Sequence, residues 1–139
     1  MGVCSRKELA GVLALRDRIH RVWDAPDGDA AAALVNRVLE EADSLPQLTR
    51  HDGWDWHMHF GRRGATLSAR LGAELAMGLA DLIRHDDLER LRYCSAPDCS
   101  AVLVDLSRNR SRLYCDTGNC GNKQHVAAYR ARRASRRPS

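Results

Sequence analysis

Three stretches of this chain repeat apolar residues at helical spacing. Leu9, Val12, Leu13, Ile19 and Trp23 predict an amphipathic helix over 6–24, stopped by Asp24-Ala25-Pro26-Asp27-Gly28. Ala31, Leu34, Val35, Val38, Leu39 and Ala42 predict a second helix over 29–43 that packs on the first and is closed by Ser44-Leu45-Pro46. Leu67, Leu71, Leu75, Leu79, Leu82 and Ile83 predict a third over 65–84, the core helix of the front part. Asp86 with Glu89 three residues later resembles an N-capping box, so a short helical turn is expected to deliver the chain to Cys94.

Between the second and third helices the period drops to two. Trp54, Trp56, Met58 and Phe60 alternate with Asp55, His57 and His59, the pattern of a strand with one apolar face. His51-Asp52-Gly53 is a turn that would pair it with a strand near 45–50. His57 and His59 share the polar face, and with no third ligand nearby in sequence they read as solvated histidines rather than as a metal pair.

In the last third, Ala101-Val102-Leu103-Val104-Asp105-Leu106 reads as a strand and Arg112-Leu113-Tyr114-Cys115 as its return. The polar, basic run 107–112 between them is expected to be the tip of that hairpin. A final helix is expected from Gly118 or Cys120 to before Pro138. Lys123, Arg130, Arg133 and Arg137 fall on one side of it, and Val126 and Tyr129 are expected to pack on the hairpin. The fold class is therefore mainly α with a short β-hairpin: a small helical N-terminal domain (1–88), a C-terminal four-cysteine module of β-hairpin and helix (89–135), and a basic tail (136–139).

Four cysteines give that module its chemistry. Their spacing, Cys94-x4-Cys99-x15-Cys115-x4-Cys120, can bring four thiolates to one tetrahedral point, as a structural Zn²⁺ requires. Disulfides and four separate core thiols are the alternatives. The first residues lack an apolar core long enough for a signal peptide, so an oxidising compartment is not expected. The cysteines also sit among Pro97-Asp98 and Thr117-Gly118-Asn119, where the chain turns and a thiol has little core to enter. Cys4, far from the cluster, reads as an incidental thiol.

At 139 residues and 44% hydrophobic composition, the chain can bury one modest core plus a metal-stapled module. No apolar run approaches the roughly 18 residues of a membrane span, so a soluble, cytoplasmic protein is expected. The net charge of +4 hides an asymmetry: from Arg90 onward eleven basic residues face three aspartates, leaving the front part acidic overall. A zinc tetrathiolate carries about −2, so the basic excess survives metal binding and favours a polyanionic partner.

The run Asp105-Leu106-Ser107-Arg108-Asn109-Arg110-Ser111-Arg112, followed by Tyr114-Cys115 and Cys120-Gly121-Asn122-Lys123, resembles the CGNR zinc-finger family. Members of that family join this finger to an N-terminal helical ABATE domain and are regarded as stress-induced bacterial transcription regulators. The front part is similar in kind to an ABATE domain shortened at its start. The fourth residue of the naming tetrapeptide is Lys123 here rather than arginine, which keeps the charge but loses bidentate geometry.

The resemblance implies one structural Zn²⁺ per chain on Cys94, Cys99, Cys115 and Cys120, with double-stranded DNA as partner and a cytoplasmic, nucleoid-associated location. Arg108, Asn109, Arg110 and Arg112 on the tip, with Asn122, Lys123, Arg130 and Arg133 on the helix, are the candidate nucleic-acid contacts. The arginines and Lys123 suit phosphates, and Asn122 suits an adenine edge or, more simply, a helix cap. A homodimer through the helical domain would suit paired half-sites.

Rival readings are an RNA binder, for which the tail offers only Tyr93, Tyr114 and Tyr129 for stacking, and a protein-interaction or redox-sensing module whose thiolates release metal on oxidation. Four cysteines close the coordination position that a catalytic zinc keeps open, and no nucleophile triad, phosphate loop or carboxylate pair is present in sequence. A non-enzyme is expected.

Overall fold

The computed structural model describes residues 5–135, and Cys4, Arg137 and the tail 136–139 lie outside them. The chain forms two compact units, divided between Leu88 and Glu89.

The first unit contains α1 (Arg6–His20), α2 (Gly28–Glu41) and α3 (Leu67–Arg84), with a single turn of 3₁₀ helix, Arg21–Asp24, extending α1. Each helix starts on a side-chain cap. Ser5 and Glu8 form a reciprocal capping box on α1, Asp27 accepts from the Ala30 N–H at 2.8 Å, and Thr66 accepts from the Ala69 N–H at 3.3 Å. The core is Leu15, Val22, Ala31, Val35, Val38, Ala42, Ala73, Ala76 and Leu79. Small residues set its spacing: a Cβ on Gly72 would lie 3.2 Å from Leu15 and 3.4 Å from Val38, so α3 meets α1 and α2 closely at that point.

Both α2 and α3 end in a Schellman motif with aspartate, not glycine, in the left-handed position. Asp43 has φ 47° and Asp86 has φ 56°. The Ser44 N–H donates to Leu39 O, and the Asp87 N–H to Leu82 O. The expected capping role of Asp86 is thereby corrected: a left-handed residue closes α3 and cannot start the next turn, Leu88–Arg90, which is 3₁₀.

Strands β1 (Gln47–Thr49) and β2 (His57–His59) pair antiparallel, with Leu48 opposite Met58 and Gln47 opposite His59. The expected turn forms, with Asp52 and Gly53 both at positive φ and the Trp54 N–H donating to His51 O at 3.0 Å. The buried tryptophan face does not. Trp54 and Trp56 are 72% and 63% exposed and precede the strand. The Asp55 carboxylate accepts the Trp56 N–H and the Asp55 carbonyl contacts the His57 ring, so local side-chain bonds replace ladder bonds there.

In the second unit, β3 (Leu91–Tyr93) pairs antiparallel with β4 (Val102–Val104), and α4 (Cys120–Ser135) follows. The Cys94 N–H to Ala101 O bond and the Asp105 N–H to Arg90 O bond, both 2.8 Å, extend the hairpin at its two ends. This changes the expected topology, because the return strand over 112–115 is absent and the partner of β4 lies upstream. The basic run 107–112 is therefore a loop leaving the sheet, and the hairpin tip is the segment holding Cys94 and Cys99.

Candidate metal centre

The β3–β4 hairpin presents Cys94 and Cys99 at its tip, where the Cys99 N–H closes a turn onto Ala96 O at 3.2 Å. Cys115 and Cys120 flank a second turn, in which Asn119 takes φ 50° and Cys120 becomes the first residue of α4. All four sulfurs lie within 4.8 Å of one another, and none is in a disulfide. The Cys99–Cys115 and Cys115–Cys120 Sγ separations are both 3.7 Å. A tetrahedron of zinc–sulfur bonds near 2.3 Å has edges of about 3.8 Å, so the cradle fits one Zn²⁺. Among the described residues, the core around the cysteines is Ala96 and Leu103, with Ala101 and Tyr114 against it. So few apolar groups give a module of this size little stability, and metal ligation supplies what the core lacks.

The thiols differ in acidity. Hydrogen bonds from the Gly118 N–H and the Thr117 hydroxyl pull Cys115 down to about 6, against the ordinary 9.0. Burial, reinforced by the neighbouring sulfurs, pushes Cys120 up to about 12. Cys115 is thus a thiolate at neutral pH and a natural first ligand, whereas Cys120 holds its proton until metal binding displaces it to solvent. The Cys115 N–H also points at Cys94 Sγ, 3.4 Å away, a bond that steadies a thiolate ligand.

Behind the cysteines, Asp105 organises the basic loop. Its carboxylate is fully buried. Oδ1 accepts the Ser107 hydroxyl at 2.5 Å and the Ser107 N–H at 3.0 Å, while Oδ2 accepts the Arg112 N–H at 3.0 Å and Arg92 Nη1 at 3.2 Å. The Ser107 hydroxyl first, then the backbone donors and Arg92, outweigh burial and hold this carboxyl below its ordinary range. Arg92 also donates to the carbonyls of Arg110 and Arg112, and Arg90 to those of Asp105 and Ser107. Arg92 of β3 and Arg90, which ends the 3₁₀ turn just before it, therefore clamp the loop by its carbonyls, which is why it needs no return strand.

This geometry agrees with comparison against known families. Residues 90–133 match the family model described as "CGNR zinc finger", and residues 2–86 match ABATE, described as "Putative stress-induced transcription regulator". The chain belongs to the CGNR zinc-finger family. A search of the curated proteins returns no match.

Within the CGNR finger the candidate nucleic-acid residues separate into two sets. Arg112 is half-buried, donates Nε to Tyr114 O at 3.3 Å and pairs with Asp116; Arg110 pairs with Glu89 from a left-handed backbone. Both serve the fold of the loop. Arg108, Asn109, Asn122, Lys123, Arg130 and Arg133 are exposed. Val126 and Tyr129, expected against the hairpin, are 40% and 55% exposed, so the middle of α4 stands clear of the sheet. Sequence reasoning missed Arg90, Arg92 and the hub role of Asp105. The Asp-x-Ser spacing of Asp105 and Ser107 was the available local signal, since aspartate readily bonds the backbone two residues on.

Proposed function

We propose that the protein is a zinc-dependent, DNA-binding transcription regulator whose CGNR finger makes the DNA contact. The observation that carries this reading is the exposure of α4. Every residue from His125 to Ser135 is exposed, and this stretch holds Arg130, Arg132 and Arg133 and no acidic residue. A 16-residue helix is about 24 Å long, enough to cross a major groove about 12 Å wide. Lys123, Arg130 and Arg133 line one side of it, and Arg108 and Asn109 stand exposed on the clamped loop.

Zinc acts structurally in this reading. Four thiolates fill its coordination sphere, and the metal joins the hairpin tip to the start of α4 so that the basic groups keep a fixed arrangement. The chain is a non-enzyme on this view and works in the cytoplasm on the nucleoid, with dimerisation through the helical unit giving two fingers for paired half-sites. No helix among the described residues is long and apolar enough to cross a membrane.

The test is a salt titration of duplex binding. Replacing Arg130 and Arg133 with alanine is expected to weaken binding and to reduce the magnitude of the log–log salt slope by about 1 per lost phosphate contact. An unchanged slope removes α4 from the interface.

A further inference from the structure

Among the described residues, a second cluster of ligating side chains lies on the β1–β2 hairpin. His57 and His59 are two apart on β2 and so share a face. The third member, His51, comes from the turn after β1, where Asp52 and Gly53 at positive φ fold the chain back. The Nε2 atom of His59 lies 2.9 Å from Nε2 of His51 and 3.2 Å from Nε2 of His57. The outer nitrogens are already engaged: Nδ1 of His51 meets Asp52 Oδ2 at 2.7 Å, and Nδ1 of His57 meets the Asp55 carbonyl at 2.8 Å.

A carboxylate and a carbonyl only accept, so both of these Nδ1 atoms carry a proton. In the neutral rings, His51 and His57 therefore turn bare Nε2 lone pairs toward His59. One N–H on His59 can align well with only one of them, whereas a cation between the rings serves all three. The spacing suits one. Metal–nitrogen bonds of 2.0–2.1 Å place adjacent ligand atoms about 2.9 Å apart in octahedral geometry and about 3.3 Å in tetrahedral geometry.

We propose that His51, His57 and His59 form a second metal site, binding one divalent transition ion of the zinc, nickel or copper class through their Nε2 atoms. Three neutral imidazoles favour such ions over the oxygen-seeking calcium and magnesium. Asp52 and the Asp55 carbonyl supply the outer hydrogen bonds that fix tautomer and ring orientation in histidine metal sites. His51 and His59 also line a cavity of about 310 Å³, which leaves room for water to complete the coordination. This site is separate in sequence and in structural unit from the four cysteines, so it stands or falls independently of the zinc finger.

The test is calorimetric titration of the full-length chain, already carrying its cysteine-bound zinc, with Zn²⁺. One further equivalent is expected to bind. His59→Gln is expected to abolish it while the first zinc and the circular dichroism spectrum stay unchanged, because His59 is exposed. Asp52→Asn, which tolerates the left-handed turn, is expected to weaken the second equivalent on the order of 10- to 100-fold. Saturation of the wild type at one zinc, or full second-site binding by His59→Gln, overturns the proposal.

Discussion

Gly118 offers a sharp probe of the zinc cradle. A Cβ added there would lie 2.8 Å from Cys120 Sγ and 3.6 Å from Cys115 Sγ, whereas real Cβ contacts essentially never fall under 3.0 Å. The Cys120 sulfur must retreat by at least about 0.2 Å, the whole tolerance of a well-formed metal–ligand bond. The same residue's N–H holds Cys115 as a thiolate, so backbone movement at Gly118 also costs that hydrogen bond. Disturbing the surroundings of a metal ligand typically lowers affinity 10- to 100-fold, which is about 1.4 to 2.7 kcal/mol. Gly118→Ala is expected to lose zinc affinity by that factor in competition with a chromophoric chelator at neutral pH. Gly121→Ala is the control, because its Cβ would meet Tyr114 at an ordinary 3.5 Å and leave the sulfurs alone. Equal zinc affinity in the two variants would refute the placement of the sulfurs around the metal.

Other expectations reach the rest of the molecule. Asp105→Ala strips four donors of their acceptor, and amide exchange at Ser107 and Arg112 is expected to accelerate while the helical unit keeps its protection. Because the Asp105 carboxyl is held low in the folded finger, its contribution is complete above the ordinary carboxylate pKa of about 4 and is lost as pH falls through the lowered value. Order in the loop of the zinc-loaded protein should therefore not change between pH 7 and 5, and an earlier loss would remove Asp105 as the hub. Leu79→Ala, in the core of the helical unit, is expected to cost about 2–5 kcal/mol in denaturant unfolding of that unit, and a loss under 1 kcal/mol would mean the site is not packed as described. Asp86→Gly relieves a left-handed aspartate and is expected to stabilise the same unit by up to about 1 kcal/mol, whereas destabilisation would contradict the Schellman closure.

The parts of the molecule visible in sequence are those fixed by local spacing. Apolar residues at helical intervals marked α1, α2 and α3 to within a few residues, with the end of α1 shortened only because its last turn tightens to 3₁₀. The cysteine spacing marked the metal centre because each pair is held by its own short turn. What stayed hidden depends on partners distant in sequence. Leu91-Arg92-Tyr93 carries a charge at its centre and does not read as a sheet strand; it becomes one because Arg92 finds the buried Asp105 thirteen residues later. The loop 107–112 reads as a free basic tip for the same reason, since the arginines that clamp it, Arg90 and Arg92, come from the turn before β3 and from β3 itself. His51 could be joined to His57 and His59 only once the hairpin register and the seven-residue connection were known. Trp54 and Trp56 mimicked a buried strand face because alternation alone does not say whether anything covers that face.

Whether zinc orders the basic finger for DNA is decided by measuring duplex binding across a salt series before zinc removal, after chelation, and after restoring zinc. Affinity is expected to fall steeply with salt, to disappear on chelation and to return on adding zinc. Salt-dependent binding of equal strength in the metal-free protein would contradict that role for zinc.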